Sequence, residues 1–142
     1  MKNLPRLLRE TGIWAPCTVL IFHQFFSIKD WRSQIDWLNH YSGGLSFTYF
    51  SWKCLPFLAR WSGNLTASGR LVVAFLSGCT AALLWEIGEF TSDLFLNTTI
   101  QQSIDETMMD ILNGFLGTTA TVLSLLFTMP PSKEDCAVAP VS

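Results

Sequence analysis

Apolar residues are concentrated in four stretches of the 142-residue chain, and short polar segments separate them. A helix needs about 20 mostly apolar residues to cross the roughly 30 Å hydrocarbon core of a bilayer. The pattern therefore predicts four transmembrane helices, at residues 11–28, 42–59, 71–95 and 108–129. The third and fourth are the most apolar, since residues 71–84 and 111–129 contain no charged side chain.

The second predicted helix is the most polar of the four, because it carries Lys53 and Pro56 as well as several small residues. Small residues let helix backbones approach closely within a membrane. We therefore expect this helix to pack among the others rather than to be surrounded by lipid. The small residues are Ser42, Gly43, Gly44, Ser46, Thr48 and Ser51.

The segments outside these stretches are polar. In residues 30–39, Trp31, Ile35 and Leu38 recur at helical spacing among polar residues, which predicts a short amphipathic helix at the membrane interface. The polar, proline-bearing residues 130–142 are typical of a disordered tail. The predicted fold is an all-α bundle of four transmembrane helices in a single domain, residues 1–129, with an interfacial helix between the first and second.

Basic residues indicate the orientation. A cleavable signal peptide is disfavoured, since no small-x-small cleavage site follows the first apolar stretch. Four spans place six Lys and Arg residues on the side of the termini and two on the opposite side. The positive-inside rule then predicts that both termini are cytoplasmic. The six are Lys2, Arg6, Arg9, Arg60, Arg70 and Lys133, and the two are Lys29 and Arg32.

Composition excludes several other classes of protein. Charged residues make up 14% of the chain, against about a quarter in soluble domains, while hydrophobic residues make up 49%. With a net charge of −2 and no basic cluster, nucleic acid is not an expected partner. A phosphate-binding loop, a zinc-protease motif and a nucleophile elbow are all absent from the sequence, which disfavours enzymes of the soluble type.

Ionisable residues within or beside predicted spans are costly, and they are therefore candidates for function. Glu86, Glu89 and Asp93 follow one another at i, i+3 and i+7, on one face near the outer end of the third span. Asp110 and Asn113 open the fourth span at i and i+3. Two histidines, His23 in the first span and His40 before the second, are predicted at a similar depth.

Three sequence blocks resemble a known family. The segments DWLNHYSGG (36–44), LWEIGEF (84–90) and QQSIDETMMDILNGFLG (101–117) are similar to those of the YjdF-like family of small bacterial inner-membrane proteins, and more distantly to the VanZ-like family. The resemblance implies a multi-pass protein of the bacterial inner membrane with a polar site. It carries over onto Asp36, His40, Gly44, Trp85, Glu86, Glu89, Asp93, Gln101, Asp105, Asp110, Asn113 and Gly117.

The favoured hypothesis is a polar pocket in the outer half of the bilayer that binds a divalent cation or a polar, lipid-like head group. Carboxylates and imidazole together suit Zn²⁺, Mn²⁺ or Fe²⁺. A haem or pigment on His23 is disfavoured. The candidate metal ligands are His40, Glu86, Glu89, Asp93 and Asp110, with His23 as a further candidate. The supporting polar residues are Asp36, Gln101, Asp105 and Asn113.

A second hypothesis gives the same residues a structural role. Glu86 would pair with Lys53, and the other acids would hydrogen-bond within the bundle and join its helices. The protein would then be an accessory subunit that packs against a larger membrane complex. A reaction on a lipid head group, with His40 or Glu89 as proton carrier, stays open.

Overall fold

The structure, a computed structural model, describes residues 4–28 and 32–129. That part of the chain is helical and contains no strand. Lys29, Asp30, Trp31 and the predicted tail at 130–142 lie outside the described residues. The helices are α1 (Leu4–Thr11), α2 (Trp14–Ile28), α3 (Arg32–Ser62), α4 (Ala67–Leu96) and α5 (Ile104–Thr128).

Helices cover most of each predicted span, but not all of these helices have the length and composition of a membrane helix. Of the described helices, α4 and α5 are long and apolar enough to cross a membrane. With 15 residues, α2 reaches only about 22 Å, because Gly12 in a left-handed conformation separates it from α1. α3 has 31 residues but is more polar.

The predicted interfacial helix is not a separate element. Residues 32–39 are the first turns of α3, which continues to Ser62. No glycine or proline occurs between Arg32 and Ser42 to interrupt the helix. The prediction that this segment is helical was therefore correct for residues 32–39, but the prediction of a separate helix was wrong, because these residues begin the long α3.

Capping side chains define where α4 and α5 begin. Thr66 accepts a hydrogen bond from the Gly69 amide, 3.1 Å away, at the start of α4. Ser103 caps α5 by accepting from the Glu106 amide at 3.1 Å, and Glu106 accepts from the Gln102 amide at 2.8 Å. Asp105 and Thr107 could also cap a helix by residue type, but both lie inside α5. Ser103 takes the position because its hydroxyl satisfies the amide three residues on, while the Glu106 carboxylate reaches back to the amide just before the cap.

The interior of the bundle is made of small and polar residues, and the large apolar residues point outward. In the described part of the chain, the buried hydrophobic residues are Ala15, Leu55, Leu71 and Ala74. Large side chains such as Phe95 and Phe127 are 77% and 87% exposed. In the most apolar stretches of α4 and α5, only 22% of the residues are buried. The core helix of a water-soluble protein shows the opposite distribution, so this one favours a lipid environment.

α3 is the central helix and contacts all four others. Its most extensive contact is with α5, where the backbone at Gly44 lies against the backbone of Gly114 so closely that no Cβ would fit on Gly44. Thr121 adds a hydrogen bond across this interface, from its hydroxyl to the Leu45 carbonyl at 3.1 Å. Small residues thus bring α3 and α5 into backbone contact, as expected for helices packed within a membrane.

Two contacts of arginine side chains lie at the end of the bundle opposite Glu86, Glu89 and Asp93. The Arg70 guanidinium lies 4.0 Å above the Trp52 ring, a cation–π contact between α4 and α3. In α1, Arg6 donates to Glu10 at 2.7 Å, and this hydrogen bond together with the attraction of the Glu10 charge raises the pKa of the guanidinium. Arg6 and Arg70 therefore each have a partner at this end.

Candidate metal centre

The helices run alternately up and down, which places the start of α3, the end of α4 and the start of α5 at one end of the bundle. This end, which also holds the α4–α5 loop (residues 97–103), is called the loop end below. Asp36 and His40 lie one turn apart on α3, Glu86 on α4 and Asp110 on α5. All four residues are buried, with 3–8% of their surface exposed. They form a group that we call the His40 cluster.

The imidazole of His40 is at the centre of this cluster. Its Nε2 lies 3.6 Å from Asp36 Oδ1 and 3.7 Å from Asp110 Oδ2. On the other side of the ring, its Nδ1 lies 3.3 Å from Glu86 Oε1. One side chain of α3 therefore faces carboxylates from its own helix and from both neighbouring helices.

The distances on the Nε2 side are too long for hydrogen bonds but suit ligands that share one ion. Among the described residues, His40 Nε2 has no hydrogen-bond partner although it is buried. Asp36, His40 and Asp110 each offer one ligand atom, and these three atoms lie within 4.8 Å of one another. Ligands bound at about 2.1 Å to a common metal ion lie roughly 3–4 Å apart. Small adjustments of three side chains would therefore bring them to one ion.

Electrostatics favour a cation at this point. Three carboxylates surround a single imidazole in a buried setting, and like charges so close together are unfavourable unless a proton or a cation offsets them. A neutral His40 would present Nε2 as an acceptor toward the carboxylates, where it could bind a metal ion. The cluster thus has the donor atoms, burial and charge of a cation site.

Glu86 is itself held in place by the α4–α5 loop. The Gln101 side-chain amide donates to the Glu86 carbonyl at 3.1 Å and to Glu86 Oε2 at 3.3 Å. Glu86 Oε1 stays directed at His40 Nδ1. A carboxylate on the second nitrogen of a ligating histidine is the usual arrangement that orients the ring toward a metal.

The remaining predicted acids are placed around the cluster. Glu89 is buried and accepts a hydrogen bond from Trp85 Nε1 at 3.1 Å, and its charge interacts with those of Glu86 and Asp110. Asp105 is exposed in the first turn of α5. Asn113 is half-buried, one turn after Asp110. Glu89 and Asp105 are not members of the group whose ligand atoms lie within 4.8 Å.

Asp93 organises the α4–α5 loop. Its carboxylate accepts from the Thr98 hydroxyl at 2.6 Å and from the amides of Ile100 and Gln101 at 2.7 and 2.8 Å. α4 ends just before the loop, where Asn97 adopts a left-handed conformation. Asp93 thus positions Gln101, which in turn holds Glu86.

His23 lies on α2, beside the cluster rather than within it. Its ring stands edge-on to Trp85, with the ring centroids 5.2 Å apart. Both side chains line a cavity of about 390 Å³ between α2, α3 and α4, which also borders His40 and Asn39. His23 is therefore a cavity residue, and its role as a ligand stays a prediction.

Two sequence interpretations change. The pairing of Glu86 with Lys53 does not form, because Glu86 faces His40 and Lys53 lies 13 residues further along α3, about 20 Å away, next to Gly12. Asp36, which the sequence placed among the supporting residues, supplies one of the three grouped ligand atoms. Its i, i+4 spacing from His40 is the sequence signal for this role, since a continuous helix puts both side chains on one face.

Comparison with known proteins agrees with a lipid environment, which the exposed large apolar side chains also favour. Residues 13–130 match the family described as "Predicted membrane protein (DUF2238)". The chain belongs to the DUF2238 family. The matched residues include the whole His40 cluster and the α4–α5 loop, so the candidate site of this DUF2238 protein lies within the family's common region.

One relative of the DUF2238 protein is an uncharacterized protein of Thermotoga maritima, 35% identical over 83 residues. The aligned part covers 58% of this chain and 42% of the relative. The chain thus matches less than half the length of this relative. No solved structure matches the chain.

Proposed function

We propose that this DUF2238 protein binds a divalent transition-metal ion through Asp36, His40 and Asp110. The observation that carries the proposal is the grouping of three buried ligand atoms, from two helices, within 4.8 Å of one another. Burial matters here because exposed acids gather without any ion, whereas buried ones need compensation. The mixture of one imidazole and two carboxylates suits Zn²⁺, Mn²⁺ or Fe²⁺ better than Ca²⁺ or Mg²⁺, which prefer oxygen ligands alone.

Glu86 acts in this proposal as the residue that orients His40. It faces the nitrogen opposite the grouped ligand atoms, and Gln101 fixes its own position. Three protein ligands leave at least one coordination position for water or for an oxygen of another molecule. A polar head group would bind at that position through a neutral oxygen atom, such as that of a hydroxyl or a carbonyl.

The rival function is that of a structural subunit whose acids only join its helices. The contacts of Asp93 with the loop and of Glu89 with Trp85 support such a role for those two residues. They do not account for the buried Nε2 of His40, which lacks a hydrogen bond among the described residues. The metal proposal is favoured because it uses this atom.

Metal titration of the purified protein tests the proposal. The protein is stripped with a chelator in detergent and titrated separately with Zn²⁺, Mn²⁺ and Fe²⁺, and bound metal is measured by elemental analysis. We expect one ion per chain in the wild type and loss of that ion in Asp36→Asn and His40→Ala. Asp105→Asn, which alters an exposed acid, is the matched control and should keep the ion.

Folding is followed in the same samples by circular dichroism and thermal unfolding. Asp36→Asn changes few atoms and should remain helical, so that its loss of metal is a loss of ligand. No stoichiometric ion in the folded wild type, or equal affinity in Asp36→Asn, would overturn the metal proposal and leave the structural function.

We further propose that the protein crosses the bacterial inner membrane four times as a single domain, with both termini in the cytoplasm. The helices that cover the four predicted spans and the six-to-two distribution of basic residues support this topology. The loop end then faces the periplasm. Assignment to the YjdF-like family, with VanZ-like proteins as distant relatives, is also proposed, because the three resembling blocks all lie within residues 13–130.

A further inference from the structure

The cavity between α2, α3 and α4 has the size of a small-molecule site. Its volume of about 390 Å³ falls in the range of roughly 300–1,000 Å³ that is typical of ligand pockets. α2 contributes Pro16, Val19 and Leu20, and α4 contributes Ala81, Ala82 and Leu84. Most of the wall is therefore aliphatic, which fits the apolar part of a ligand.

The wall of this cavity reaches the lipid-facing surface of the bundle. Leu20 and Leu84 line the cavity, yet they are 45% and 59% exposed on the outside. The surrounding surface carries other exposed apolar side chains, such as Ile21 and Leu83. A ligand would therefore reach the cavity from the bilayer rather than from water.

Polar groups occupy one part of this apolar wall. Asn39 lines the cavity, and its Nδ2 is buried without a hydrogen-bond partner among the described residues. An amide donor in this state is unfavourable. Because Nδ2 is closed to a water-sized group, the Asn39 side chain has to rotate toward the cavity before an acceptor atom of a ligand can satisfy it. Asn39 lies next to His40 on α3, so this acceptor would be bound beside the His40 cluster.

The charge of the cluster restricts the ligand's head group. Three carboxylates, those of Asp36, Glu86 and Asp110, lie around His40. When all three are ionised, their negative charges exceed the two positive charges of one divalent ion. An anionic head group would be repelled, whereas a neutral hydroxyl or carbonyl oxygen could accept from Asn39 without that repulsion.

We infer that this cavity binds a single-chain amphiphile from the bilayer, whose neutral oxygen-bearing head group accepts a hydrogen bond from Asn39. The apolar chain lies between α2 and α4, and the head group lies beside His40. The site does not depend on the proposed metal ion, because Asn39 and the aliphatic wall take no part in ligating it.

Photolabelling tests the inference on the full chain in phosphatidylcholine nanodiscs. The probes are three 16-carbon chains with the same diazirine, ending as an alcohol, a carboxylate or an alkane. Labelled positions are identified by mass spectrometry. We expect the alcohol to label the cavity-lining residues of α2, α3 and α4, with at least about threefold greater yield than the carboxylate or the alkane.

Two glycines provide a matched pair of variants. An added Cβ meets nothing within 4 Å at either Gly43 or Gly88, but Gly43 lines the cavity and Gly88 is exposed on α4. Gly43→Phe fills the cavity and should reduce labelling there about tenfold, while Gly88→Phe should leave it unchanged. Asn39→Leu should remove the preference for the alcohol over the alkane.

Equal labelling in Gly43→Phe and Gly88→Phe would overturn the inference, as would equal labelling of the wild type by alcohol and alkane. The wild-type comparison does not depend on how any variant folds. Asp36→Asn, which should lose the metal, should keep alcohol labelling, and Gly43→Phe should keep the metal. Failure of the amphiphile site and failure of the metal site therefore give different results.

Discussion

Gly117 of α5 lies so close to the backbone carbonyl of Tyr41 on α3 that a Cβ added to Gly117 would overlap the carbonyl oxygen. A side chain in such a position could rotate away, but a helix carbonyl cannot. The two helices would have to separate. Because His40 precedes Tyr41 on α3 and Asp110 lies two turns before Gly117 on α5, this contact also sets the distance between two proposed metal ligands.

We expect Gly117→Ala to lower the free energy of unfolding by about 1–3 kcal/mol, as overpacking does in tightly packed interiors. Gly88→Ala is the control, since an added Cβ there meets nothing within 4 Å and alanine favours a helix by about 1 kcal/mol. Unfolding in detergent, followed by circular dichroism, measures both. A stability of Gly117→Ala equal to or above that of the wild type would contradict the close α3–α5 contact.

Glu86→Gln removes the carboxylate that faces His40 Nδ1 and keeps the size of the side chain. Loss of such an orienting carboxylate typically weakens metal binding about 10–100-fold. We expect a loss of this size in a Zn²⁺ competition titration. Glu89→Gln is the comparison, because Glu89 is held by Trp85, and its effect should stay below about threefold. The reverse order of effects would show that Glu89 is the functionally important acid on α4.

The i, i+3, i+7 spacing of Glu86, Glu89 and Asp93 predicted that these acids share a helix face. In the structure, Glu86 and Glu89 are buried, and Asp93 accepts hydrogen bonds from the α4–α5 loop. Helical periodicity is a local property and can be read from the sequence. The path of the loop, which turns back at the left-handed Asn97, depends on tertiary packing and cannot.

Asp36 is a second residue whose tertiary surroundings could not be read from the sequence. Its place in a polar, amphipathic segment indicated a surface helix, whereas the continuous α3 carries it into the interior, beside Asp110 of α5. The helical conformation of this segment was predictable from the spacing of its apolar residues, although its continuation into α3 was not. The partner across the bundle was not, because the rotation of α3 against α5 is set by backbone contacts such as that of Gly44 with Gly114.

Asp93→Ala tests the role of the α4–α5 loop. It removes the acceptor for the amides of Ile100 and Gln101, and hydrogen bonds to a charged group each contribute about 1.5–3 kcal/mol. We expect hydrogen–deuterium exchange at these two amides to increase at least about tenfold. Asp105→Ala, at an exposed acid, should leave their exchange unchanged. Unchanged exchange in Asp93→Ala would mean that the loop is held by other contacts.

The proposed topology is tested with single cysteines in a background from which the native cysteines have been removed. Thr99 lies in the α4–α5 loop and Asn64 in the α3–α4 connection, and both are exposed. A membrane-impermeant maleimide should label Thr99→Cys in intact cells, and label Asn64→Cys only after the membrane is opened. The opposite pattern would place the His40 cluster at the cytoplasmic face.

The central position of α3 has a consequence for how the protein is made. Among the described helices, α3 is not one of the two that are apolar enough to cross a membrane by composition, and its most extensive contacts are with α5 and α4. Both of those helices follow it in the chain and leave the ribosome later. In the proposed four-span topology, stable insertion of α3 would therefore wait for the helices that shield it, and the second half of the chain would complete the assembly of the first.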